Sequence, residues 1–80
     1  MKLIDYKNEI IAISKAEDVS WDVAMDMFLA NVRNAGQEGA PHYKGADEVD
    51  YAALAKDIPA QGTQEYADMC TEFRQDFKKK

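Results

Sequence analysis

The sequence predicts an all-α fold: a compact bundle of three or four helices with a Gly/Pro-containing loop at 36–46. Three observations support this. Apolar residues recur at the three-then-four spacing of a helix face in four segments. Ser, Asp or Thr opens three of these segments, and Gly or Pro closes two of them. Only Ile10-Ile11-Ala12-Ile13 has the β-branched character of a strand, and the chain offers no second strand to pair with it.

The first helix is expected from about Leu3 to Ala16, with Leu3, Tyr6, Ile10 and Ile13 on one face and Ile4 and Ile11 widening it. The second opens at Ser20, whose hydroxyl is placed to accept a first-turn N–H, and Asp22 follows where the helix dipole favours a negative charge. Trp21, Ala24, Met25, Phe28, Leu29 and Val32 form its apolar face, and Gly36 stops it as a left-handed cap. The loop Gly36–Ala46 holds three glycines and a proline. A short third helix is expected from Asp47 as cap, with Tyr51, Leu54, Ala55 and Ile58 on its face and Pro59 beyond its end. The fourth begins at Thr63. Tyr66, Met69, Cys70, Phe73 and Phe77 form one face, Glu65, Asp68, Glu72 and Asp76 another, and Lys78, Lys79 and Lys80 complement the C-terminal end of the dipole.

Eighty residues make one domain, 1–80, near the lower size limit for a core without staples. A chain that short has little room for an enclosed pocket and tends to carry function on its outside. One cysteine excludes an internal disulfide and a cysteine zinc site, and suggests a reducing compartment. The N-terminal stretch carries charge every few residues, unlike a signal peptide, so a cytoplasmic location is expected. The formal net charge is −5, and three of the ten bases sit in the terminal lysines, so the body is more acidic still. Such a body repels nucleic acid and anionic membrane and attracts basic protein surfaces.

Candidate chemistry is sparse. His42 stands in Pro41-His42-Tyr43-Lys44 with no nucleophile or orienting partner evident nearby, and reads as a loop histidine. Cys70 lies on an apolar face of an acidic helix and reads as a core residue rather than a nucleophile. Asp47, Glu48 and Asp50 lack the alternating ligands, central Gly and distal Glu of a calcium loop, and helix capping accounts for Asp47 and Glu48. Asp18-Val19-Ser20-Trp21 lacks the Asp-Ser-Leu pattern with which the acyl carrier proteins, also small and acidic, present their modified serine. No catalytic, cofactor or metal residues are assigned.

The second helix is the anomaly. Val23, Met27 and Ala30 line up opposite its main apolar face, so it is either central in the bundle or half covered by a partner. Asp22 and Asp26 lie i, i+4 along its flank, where like charges oppose helix stability slightly. With Glu65, Asp68 and Glu72 they form a candidate partner-binding set: Asp22, Val23, Asp26, Met27, Glu65, Asp68 and Glu72. The expected function is that of a non-enzymatic protein that inhibits or regulates a protein partner with a basic surface. In one version it is a phage-type, anti-CRISPR-like inhibitor that mimics nucleic acid or sterically blocks a nucleic-acid-binding complex. The alternative is an antitoxin-like regulatory or assembly subunit that docks through an apolar helix face.

Overall fold

The computed structural model describes residues 2–78. A 3₁₀ turn at Leu3–Tyr6 leads into α1 (Lys7–Glu17), followed by α2 (Trp21–Asn34), α3 (Tyr51–Leu54) and α4 (Gln64–Lys78). The described residues contain no strand, and Ile10–Ile13 is helical. Lys79 and Lys80, expected at the end of α4, lie outside the described residues.

α1 and α2 form a helical hairpin joined at 18–20. Asp18 takes the left-handed conformation at φ 56°, which Asp tolerates better than most side chains. Ser14 fixes the turn from both sides: its carbonyl accepts the Val19 N–H at 3.0 Å, and its hydroxyl donates to the Val19 carbonyl. Ser20 stands at the cap position of α2 but does not accept a backbone N–H as the sequence suggested. Its hydroxyl donates to Asp22, and the same Asp22 oxygen takes the Val23 N–H at 3.0 Å. The ionised carboxylate is the stronger acceptor and assumes the capping role. α2 stops at Gly36, left-handed at φ 77°, as expected.

The third helix differs from expectation. It is a single turn, and its cap is Asp50, which accepts the Ala53 N–H at 3.2 Å, not Asp47. Asp47 is held instead by His42, at 2.9 Å, while the Val49 N–H closes a turn on Ala46. This shifts the helix start three residues onward. Thr63 caps α4, its hydroxyl oxygen accepting the Tyr66 N–H at 3.3 Å.

The end of α2 meets the start of α4 where Arg33 donates to the Tyr66 hydroxyl. The start of α2 meets the end of α4 where Trp21 stacks on Phe77, with centroids 4.3 Å apart. The two helices are therefore antiparallel. The core is built from Leu3, Ile10, Ile13, Met25, Phe28, Leu29, Val32, Tyr51, Leu54 and Phe73, with Phe28 edge-on to Tyr51. Trp21 and Phe77, on the apolar faces of α2 and α4, are half-buried. They close one end of the bundle, where Lys7 Nζ lies 5.0 Å from the Phe77 ring centroid.

Candidate functional site

α2 is the organising helix: α1 packs along it, α3 packs on it, and α4 reaches it through side chains. A fourth neighbour was not legible in the sequence. Asn31 is buried at 2 % exposure, and its side-chain amide clips the 36–46 loop. Its Nδ2 donates to the Tyr43 carbonyl at 3.0 Å and its Oδ1 accepts the Tyr43 N–H at 2.8 Å. Asn34 Nδ2 holds the Pro41 carbonyl, and Glu17 accepts the Lys44 N–H. Gly45 then passes so close to α1 that a Cβ there would lie 2.6 Å from the Ala12 carbonyl oxygen.

The clip places Tyr43 beside the second apolar face of α2. Val23, Asp26, Met27, Ala30, Arg33 and Tyr43 line one open groove of about 320 Å³. Met27 and Ala30 are half-buried, so central position accounts for part of the anomaly. Val23 remains 42 % exposed, the one large exposed hydrophobic side chain among the described residues. The structure thus brings Val23, Met27 and Asp26 together, with Asp22 one turn further along the helix.

Asp22 and Asp26 run along the seam between α2 and α4. The Ser20 hydroxyl holds the Asp22 carboxyl below its ordinary value, and the Val23 N–H and the Arg74 charge act in the same direction. Burial raises the Tyr66 hydroxyl and the Cys70 thiol, and the Asp26 charge adds to both shifts. Glu65, Asp68 and Glu72 are exposed, but helical periodicity puts them roughly half a turn around α4 from Arg74. The two acidic sets therefore face different directions. A third set, absent from the sequence reading, lines a cleft of about 600 Å³ between α1 and the loop, where Glu9, Asp47 and Glu48 meet beside Tyr6. The approach of Gly45 to Ala12 assembles it, and that glycine was the available signal.

His42 does have a carboxylate partner, contrary to the sequence reading. Asp47 lies 2.9 Å from its Nε2, and the imidazole meets the Tyr51 ring edge-on at 5.7 Å. Among the described residues this is its one side-chain hydrogen bond and the one ion pair of the fold. Cys70 is buried on the core side of α4. No group of three or more His, Cys, Asp and Glu residues is placed to hold a metal ion among the described residues. Nor is any helix there long and apolar enough to cross a membrane.

Comparison with known proteins gives no match among protein families, curated proteins or solved structures.

Proposed function

We propose that this chain is a non-enzymatic binding protein that inhibits or regulates a macromolecular partner with a basic surface. One observation carries the reading. None of the 15 acids is buried, and among the described residues no Lys or Arg neutralises one at contact distance. Such a surface projects a negative field that steers basic partners and repels nucleic acid. Asp22 and Asp26 stand about 6 Å apart along the helix axis, a spacing suited to a groove that otherwise holds phosphates. In its most specific form the partner is a nucleic-acid-binding complex and the chain a phage-type, anti-CRISPR-like block of it. The exposed acidity supports that form.

A second reading, docking through the outer face of α2, is favoured by the exposure of Val23 beside Met27. Ionic strength separates the two. The test is to capture the partner from lysate of the native host, identify it by mass spectrometry and titrate binding against salt. The acidic reading expects affinity to fall steeply as salt rises. A flat response overturns it in favour of apolar docking.

A further inference from the structure

The groove on α2 is not uniformly acidic, and its charge pattern selects its occupant. Read in heptads, Val23 and Ala30 occupy d positions, and Met27 and Asn34 occupy a positions. Asp26 and Arg33 both fall at g, seven residues apart, on one flank of this apolar strip. Both are exposed, and neither is ion-paired among the described residues. Arg33 gives one N–H to the Tyr66 hydroxyl, which leaves the rest of its guanidinium open.

A helix that carries an acid and a base at the same heptad position is complementary to its own reverse. A two-fold axis perpendicular to two antiparallel helices brings like flanks together. Asp26 of each copy then meets Arg33 of the other, forming two symmetric ion pairs. In the same register Val23 layers with Asn34 of the second copy and Met27 with Ala30, and the small Ala30 lets the backbones approach. Asn34 keeps its bond to the Pro41 carbonyl of its own loop, so the two ion pairs set the register. A purely basic partner helix would leave Arg33 opposed by like charge, whereas the reversed copy satisfies both groups.

We propose that the outer face of α2 pairs antiparallel with the same face of a second copy of this chain. The inference rests on the docking reading above and names its occupant, leaving the α4 stripe open to a basic partner. About two heptads make contact and each copy carries a formal charge of −5, so the pairing is weak and concentration-dependent.

Sedimentation equilibrium of the whole chain, at about 0.15 M salt to screen long-range repulsion, tests it. The expected result is a mass rising with concentration from 9.0 kDa toward twice that value, with Kd below about 1 mM. Asp26→Arg or Arg33→Asp alone should weaken association about tenfold, and the two combined should restore it. A native chain that stays monomeric to about 1 mM overturns the proposal. So does a dimer indifferent to the single reversals or not rescued by the double one. A monomer whose captured partner is lost on Val23→Lys would sink self-pairing but leave the docking reading intact.

Discussion

Replacing Asn31 by alanine tests the clip that ties the 36–46 loop to α2. The native amide makes two hydrogen bonds to the Tyr43 backbone from a site that is 2 % exposed. Two neutral hydrogen bonds contribute about 1 kcal/mol each. The stripped Tyr43 N–H and C=O would add roughly 1–3 kcal/mol each if they stayed dry. Tyr43 is only half-buried, so water recovers much of that term. The expected loss is about 2–4 kcal/mol, a large part of the roughly 4–12 kcal/mol available to a domain of this size. It corresponds to a fall in Tm of roughly 10–25 °C. Urea unfolding followed by circular dichroism measures it, with Asn34→Ala as control, because Asn34 makes one more exposed bond at 3.2 Å. If Asn31→Ala unfolds within about half a kcal/mol of the native chain, the loop is not held as described. Tyr43 would then not wall the α2 groove.

The other predictions concern the core, the close crossing and the buried thiol. Phe73→Ala removes a ring that is 1 % exposed and touches both Trp21 and Phe77, and should cost about 3–5 kcal/mol. A native-like melt would show that α4 is not packed as described. Gly45→Ala combines a φ of 121° with a Cβ aimed at the Ala12 carbonyl, and should cost roughly 2 kcal/mol or more in a urea titration. A neutral outcome would mean the loop does not cross α1 so closely. Because burial raises the Cys70 thiol and the Tyr51 and Tyr66 hydroxyls, the folded chain keeps protons that the unfolded chain sheds first. Stability should therefore hold up to the ordinary thiol value of 9.0 and fall above it. Cys70 should also resist thiol reagents until the chain is unfolded. Fast native labelling would contradict its burial.

The parts of the fold legible in the sequence are those where local signals agree. In α2 the apolar spacing, the cap region and the stopping residue coincide, and in α4 the apolar spacing and the Thr63 cap do, so their faces could be assigned without the structure. The cap of α3 could not be. Asp47 and Asp50 are equally good caps locally, and the choice is made by His42, which draws Asp47 away. Asn31 interrupts the apolar pattern of α2 and gives no hint of its partner, because it bonds backbone groups twelve residues onward. The second face of α2 was visible as a pattern, but its partial cover by Tyr43 depends on that same clip. The exposure of the acids was foreseeable, since unpaired carboxylates resist burial. Their division into separate faces follows from helix orientation, which no local signal encodes.

The measurement closest to the central claim is charge reversal in two sets, assayed against the captured partner. One chain carries Asp22→Lys with Asp26→Lys, the other Glu65→Lys with Asp68→Lys and Glu72→Lys, and Val23→Lys is run in parallel. Circular dichroism confirms that each variant folds, and binding kinetics are followed across a salt series. If exposed acidity carries recognition, at least one reversed set associates more slowly and shows a flatter salt dependence. If both sets bind like the native chain while Val23→Lys abolishes binding, the acidic reading is contradicted and the apolar face of α2 is the interface.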